Sequence, residues 1–155
     1  MNIEVNMGKI AIAGHKEVEN LTSTGIGSCI VITLYDPELK LGAICHPMLS
    51  SSEKTDDGIR KHEKDPIYID TAIDEMLGKM LSRGAVREQL EAKIIGAANM
   101  FTAFKPDIPK KNVASAKEKL KTEGIKLIGE CVGGSIGRSV ELALDTGIVT
   151  VKTKF

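Results

Sequence analysis

Hydrophobic residues recur along the chain with two different periods, and each period predicts a type of element. Alternating apolar and small residues predict a short strand at 8–14. The β-branched, apolar run at 29–36 is typical of a strand buried on both faces. An Asp-Pro turn follows, and residues 41–48 return as a second strand, so we expect a β-hairpin over 29–46.

Two later stretches have the period of an amphipathic helix. Apolar residues spaced three and four apart predict a helix over 69–81 that ends near Gly84. A second helix is predicted over 109–122, with Gly124 as its stop. Further strands are predicted in EAKIIGAANMF, which runs into a small-residue loop, in IKLIGEC, and in RSVELALDTGIVTVK, which forms a hairpin around Asp-Thr-Gly.

Strands outnumber helices, and hairpins join most of them. This order predicts an α+β fold with a layered, β-sandwich-like core of about seven or more strands and two main helices packed outside. No repeat or linker divides the 155 residues, so we expect a single domain over 1–155. Residues 50–66 are polar and aperiodic, and form either a solvated connection or a flap that faces a substrate.

Composition and charge exclude several classes of function. The 21 basic and 21 acidic residues give no net charge, so no overall field favours nucleic acid or an anionic membrane. No apolar run approaches the roughly 18 residues of a membrane span, and the N-terminus lacks the pattern of a secretory signal. Three cysteines without framework spacing fit free thiols in a reducing compartment, so we expect a cytoplasmic protein.

The glycine-rich stretch TSTGIGSCIV at 22–31 is the first candidate for chemistry. It supplies only G-x-G, with Ile30 where a dinucleotide fingerprint has its third glycine, and no strand clearly precedes it. The chain also has no C-x-x-C or H-x-x-x-H pair, and adjacent Cys45 and His46 would point to opposite faces of a strand. We therefore expect neither a nucleotide, a metal nor another cofactor.

Cys29 and His46 form the second candidate, because the predicted hairpin returns the histidine close to the cysteine. In a nucleophilic site, His46 would act as base, and a neighbouring imidazolium or backbone N–H groups would depress the pKa of Cys29. The backbone N–H groups at Gly27 and Ser28 are candidates to bind an oxyanion. The alternative is that Cys29 is a small buried hydrophobic residue, and the pattern leaves both open.

The remaining cysteines and histidines carry less information. Cys45 and Cys131 lie in strand patterns, so we expect both to be core thiols. His15 and His62 lie in polar surroundings and are expected on the surface. The glycine-rich GGSIGR stretch before the last hairpin is either a simple bend or part of a site.

The segment TGIGSCIVITLYDPELKLGAICHPML resembles the signature of the chemoreceptor glutamine deamidases, the CheD family of chemotaxis proteins. Four further stretches resemble that family in the same order, and together they cover nearly the whole chain: YIDTAI, EAKIIGAANMF, GIKLIGE and GGSIGRSV. Departures include Ala97, where the family more usually has glycine. The resemblance implies a folded-over β core with outer helices.

The resemblance also implies an activity and roles for residues. A member of this family is a cysteine hydrolase, a protein-glutamine glutaminase that converts glutamines of the chemoreceptor cytoplasmic domain to glutamates and releases ammonia. Cys29 falls on the nucleophile and His46 on the base. The family's third polar residue, usually threonine, falls on Ser23, with Thr24 beside it.

A second output is implied by the same resemblance. Members of the family bind CheC-class phosphatases and raise their activity, so the chain could act mainly as an adaptor in chemotaxis signalling. An intact Cys29–His46 pair argues only against a pure adaptor. The substrate-contacting residues are unknown from sequence, and the segment 50–66 and the GGSIGR turn are the candidates.

Overall fold

Nine strands and two α-helices make up the part of the chain that the computed structural model describes, residues 1–50, 65–99 and 107–153. A single 3-10 turn covers Arg87–Gln89. The helices are α1 (Ile69–Ser82) and α2 (Asp107–Thr122), and the strands are β1 (Asn2–Glu4), β2 (Ile10–Gly14), β3 (Asn20–Ile26), β4 (Ile30–Asp36), β5 (Leu41–Cys45), β6 (Glu91–Gly96), β7 (Lys126–Val132), β8 (Arg138–Ala143) and β9 (Val149–Thr153).

The strands form two mixed sheets. The four-stranded sheet has the order β1-β3-β8-β9, and the five-stranded sheet has the order β2-β5-β4-β6-β7. The pairs β1–β3 and β6–β7 are parallel, and the other neighbours are antiparallel. In the β4–β5 hairpin, Ile32 lies opposite Cys45, which confirms the predicted hairpin.

The five-stranded sheet is the middle of three layers. On one face, Ile30, Ile32 and Leu34 of β4 pack in a cluster with the two helices. On the other face, Val31 and Tyr35 pack against the four-stranded sheet. Side chains alternate between faces along a strand, so β4 is buried on both sides, as its sequence predicted. The predicted α+β layering, a sandwich-like core with helices outside, is confirmed.

Both helices begin and end close to their predicted bounds. The buried positions of α1 include Ile69, Ile73 and Met80, which follow the predicted stripe. Gly84 after α1 and Gly124 after α2 have φ values of 97° and 72°, the left-handed conformation that ends helices and that glycine adopts without strain. No helix among the described residues is long and apolar enough to cross a membrane.

The prediction that no strand precedes the glycine-rich turn is wrong. Strand β3 runs directly into it, with Leu21 and Ser23 facing inward. Its alternation is hidden in the sequence for two reasons. One inward residue is a serine, and the pairing with β8 shifts register between Ser23 and Ile26, which leaves Thr24 exposed.

Cys131 also departs from its prediction. It is exposed, whereas Cys45 is fully buried as predicted. The difference arises because β7 is an edge strand of its sheet and β5 is an inner strand. All three cysteines are free thiols.

Tyr35 and Gly147 make a close contact between the two sheets. The Tyr35 hydroxyl donates a 2.7 Å hydrogen bond to the carbonyl of Leu144, and the ring lies against Gly147 in the β8–β9 turn. A Cβ at Gly147 would lie 2.5 Å from the ring, and the residue has a φ of 78°. Only glycine satisfies both constraints.

We expect Gly147→Ala to lower the free energy of unfolding by about 2–4 kcal/mol, from left-handed strain and overpacking together. Gly124→Ala is the matched control, since its φ is similar but a Cβ there would lie 4.0 Å from its nearest neighbour, Arg87 Cδ. That variant should lose only the strain, about 1 kcal/mol. Urea unfolding measures both, and equal losses would contradict the contact argument.

Candidate active site

Three of the predicted site residues point into the space between the two sheets. On β5, Ile44 faces the four-stranded sheet and Cys45 faces the helices, so the next residue, His46, again faces the four-stranded sheet. Cys29 precedes β4 with the same parity as Val31 and therefore points to the same side. Ser23 faces them from β3.

His46 and Ser23 form a buried hydrogen bond across the two sheets. The Ser23 Oγ lies 2.9 Å from His46 Nδ1 and donates its own proton to the carbonyl of Val5, at 2.6 Å. Because a hydroxyl has one proton, Ser23 accepts the second bond, and Nδ1 must carry the hydrogen. His46 Nε2 is then the bare nitrogen, and it is buried without a hydrogen-bond partner among the described residues.

Burial sets the protonation state of both candidate groups. It lowers the pKa of His46 below its ordinary value and raises the pKa of the Cys29 thiol above its ordinary value. At neutral pH the pair is therefore a neutral imidazole and a neutral thiol. From the sequence we expected a depressed pKa at Cys29, whereas desolvation by burial shifts this pKa in the opposite direction.

The backbone brings Cys29 and His46 into the same region, but their side chains are not hydrogen-bonded to each other. The N–H of Ile30 lies 3.4 Å from the carbonyl of Pro47, which joins the residues that follow the cysteine and the histidine. The Cys29 thiol instead contacts the Met7 Sδ at 3.6 Å. Cys29 and His46 therefore lie at the same end of the β4–β5 hairpin, without a hydrogen bond between their side chains.

The loop before Cys29 is held by backbone hydrogen bonds. The carbonyls of Gly27 and Cys29 accept from the N–H groups of Ala98 and Ala97, at 3.0 and 2.8 Å. Since C=O and N–H point in opposite directions across a trans peptide, the N–H of Ser28 is directed away from these alanines. In the peptide that joins Cys29 to Ile30, the N–H of Ile30 points toward the carbonyl of Pro47, the residue after His46. The Ser28 N–H is therefore not directed at the residues that bind the carbonyl of the same peptide.

A buried arginine connects two backbone segments next to this loop. Arg138 donates to the carbonyls of Gly96 and Gly133, at 3.0 and 2.7 Å, and so joins the end of β6 to the turn after β7. Gly96 packs against the loop that carries Cys29, and a Cβ there would be 2.6 Å from the Cys29 carbonyl. The neighbouring Ala97 has a φ of 54°, in the region that favours glycine. The GGSIGR segment thus has a structural role.

Comparison with known proteins identifies the family. A family model described as CheD chemotactic sensory transduction matches residues 48–153. The chain is 38% identical to a protein of Methanococcus maripaludis strain C6, over 98% of this chain and 95% of that protein, and 39% identical to one of Methanococcus vannielii, with the same coverage. Both are named probable chemoreceptor glutamine deamidase CheD. The chain belongs to the CheD family.

A further CheD relative and one solved structure complete the comparison. The chemoreceptor glutamine deamidase CheD of Thermotoga maritima is 38% identical, over 96% of this chain and 89% of that protein. The crystal structure of the Bacillus licheniformis hypothetical protein YfiH covers 74% of this chain and 51% of that chain, at 13% identity and a TM-score of 0.38. That last likeness is too weak to carry an argument.

The structure brings some of the site residues predicted from sequence into contact and leaves others apart. It brings Ser23 and His46 into contact, while Thr24 lies outside and donates to Glu4 Oε1 at 2.7 Å. Cys29 lies at the same end of the sheets, with Gly27 and Ser28 in its loop. Most of the candidate substrate segment at 50–66 lies outside the described residues.

Sequence reasoning missed three residues that contact or support this candidate site. Val5 contributes a carbonyl oxygen, which every residue has, so no sequence signal could reveal it. Met7 lies in a polar stretch without periodicity, and its contact with Cys29 depends on the parallel pairing of β1 with β3. The GGSIGR motif includes Arg138, but nothing in the sequence indicates that this side chain is buried.

The hydrogen-bond chain predicts a single imidazole tautomer. Imidazole ¹⁵N shifts should show His46 protonated at Nδ1 and titrating below the ordinary value of about 6.5. Ser23→Ala removes the acceptor and should allow the other tautomer, whereas Thr24→Ala, which alters the outward hydroxyl next to it, should change neither result. An equal change in the two variants would contradict the assignment.

Arg138→Lys keeps the charge, but an ammonium group lacks the fork that spans two carbonyls. We expect a loss of about 1–3 kcal/mol in the free energy of unfolding, because a buried acceptor is left without its donor. Arg83→Lys is the control, since Arg83 pairs with Glu17 on the surface and should cost no more than about 0.5 kcal/mol. Chemical unfolding distinguishes these results, and equal costs would argue against a supporting role for Arg138.

Proposed function

We propose that this chain is a protein-glutamine deamidase that acts on chemoreceptors, with Cys29 as nucleophile, His46 as base and Ser23 as the residue that orients the base. The observation that carries the proposal is the Ser23–His46 hydrogen bond, which leaves an unprotonated Nε2 in the region where Cys29 lies. The names of the curated relatives supply the substrate class.

The protonation states favour general-base activation of a neutral thiol. His46 Nε2 takes the proton as the Cys29 Sγ attacks the carboxamide carbon, and the imidazolium then protonates the departing ammonia. Water, deprotonated by the same nitrogen, cleaves the thioester and leaves glutamate. Ser23 holds the ring orientation throughout, because its oxygen accepts from Nδ1–H in both protonation states.

The developing oxyanion requires N–H donors that are fixed before the substrate binds. Ser28 is the best candidate for this donor. The carbonyl of the same peptide, that of Gly27, accepts from the Ala98 N–H, so the Ser28 N–H points in the opposite direction. The N–H of Cys29 is a second candidate, and Gly27 provides the backbone freedom of the loop. This assignment agrees with the hydrogen bonds that hold the loop at Gly27 and Cys29 to Ala97 and Ala98, just after β6.

The direct test is incubation with a chemoreceptor cytoplasmic fragment, followed by peptide mass spectrometry. The wild-type protein should convert particular glutamines to glutamates, with release of ammonia. Cys29→Ala should abolish conversion, since it removes the thiol proposed to form the thioester. Cys131→Ala is the matched control and should retain activity, because that thiol lies on an edge strand.

Two results would contradict this proposal. Conversion by Cys29→Ala at the wild-type rate would remove the nucleophile assignment. No conversion by a wild-type protein that is folded, across fragments from several receptors, would remove the deamidase assignment itself. His46→Gln, which cannot act as a base, should behave like Cys29→Ala if the two residues act as a unit.

The location and the second output remain expectations of the family resemblance. We place the reaction in the cytoplasm, where the proposed receptor domain is found, and three free thiols are in line with a reducing compartment. Binding of a CheC-class phosphatase stays a prediction.

A further inference from the structure

One short segment contacts every member of the candidate triad. Residues 5–9, called here the N-terminal segment, connect β1 to β2. The carbonyl of Val5 accepts from Ser23, and the Met7 Sδ contacts Cys29. The N–H of Gly8 donates to the carbonyl of His46 at 2.7 Å, and the next residue's carbonyl accepts from the His46 N–H at 3.2 Å. Three of these contacts use only backbone atoms of the segment.

Met7 is the exception, because it contacts the nucleophile through its side chain. It is an exposed methionine, with 51% of its surface accessible, and it lies against a half-buried thiol. A thiol has one proton to donate, and here the acceptor is the Met7 Sδ, while His46 Nε2 has no partner among the described residues. The Met7 side chain therefore lies against the Cys29 thiol, which is not hydrogen-bonded to His46.

We propose that Met7 is a positioning residue that covers the Cys29 thiol at rest and is displaced by the substrate side chain. The inference rests on the proposed nucleophilic role of Cys29. Methionine suits this role because its unbranched, flexible side chain can move without disturbing the backbone of the segment. Displacement lets the Cys29 proton turn from the thioether to His46 Nε2, which pairs nucleophile and base only when a glutamine side chain has entered.

Alkylation of the folded protein by iodoacetamide tests the cover without using the deamidase reaction. Labelling is followed at each cysteine by peptide mass spectrometry at neutral pH. Cys131, which is exposed, reports on reagent activity, and Cys45, which is fully buried, reports on loss of folding. Each variant is thus compared at three sites in one chain.

Met7→Ala removes the cover, and we expect Cys29 labelling to increase about fivefold or more. Met7→Leu keeps an apolar side chain of similar volume and should restore a rate within about twofold of the wild type. Met48→Ala is the control, because Met48 is also an exposed methionine, 40% accessible, and it follows His46 in the chain. It should leave Cys29 labelling unchanged.

The proposal is overturned if Met7→Ala labels Cys29 at the wild-type rate, if Met7→Leu labels as fast as Met7→Ala, or if Met48→Ala gives the same increase. A parallel increase at Cys45 in Met7→Ala would show general loosening and would also overturn it. Failure of the proposed function is a separate result, because absence of glutamine conversion leaves the labelling rates of the three cysteines unaffected.

Discussion

The hydrogen bond between Ser23 and His46 is the interaction on which the candidate site depends, because its two partners belong to different sheets. Its 2.9 Å length requires a fixed spacing between the layers, which the inter-sheet apolar cluster and the Tyr35–Leu144 hydrogen bond maintain. The candidate site therefore depends on how the two sheets pack against each other. Packing between the sheets and orientation of the imidazole are two consequences of one arrangement.

Burial explains why the site uses two neutral groups. The same desolvation that raises the pKa of Cys29 lowers the pKa of His46, so neither side chain is charged before a substrate arrives. Such a pair resembles a serine–histidine system more than a preformed thiolate–imidazolium pair. A neutral thiol reacts slowly with electrophiles, so Cys29 is less reactive at rest than a thiolate would be.

Much of the fold could be predicted from sequence, because most elements are local and periodic. The β4–β5 hairpin, both helices and the β8–β9 hairpin follow from alternation, helical spacing and turn residues. Strand β3 could not be predicted, because its register shift and its inward serine conceal the pattern. The proximity of Cys29 and His46 was predictable from the hairpin. The hydrogen bonds to backbone carbonyls and the burial-driven pKa shifts were not, because they depend on tertiary neighbours.

The N-terminal segment has a consequence for the order in which the protein is made. Residues 5–9 leave the ribosome before Ser23, Cys29 and His46, yet their contacts require all three of these residues to be in place. Parallel pairing of β1 with β3 cannot come from a simple turn, so the segment reaches its position only after later strands have formed. A nascent chain that ends before His46 therefore cannot make the contacts that bring the thiol and the imidazole together.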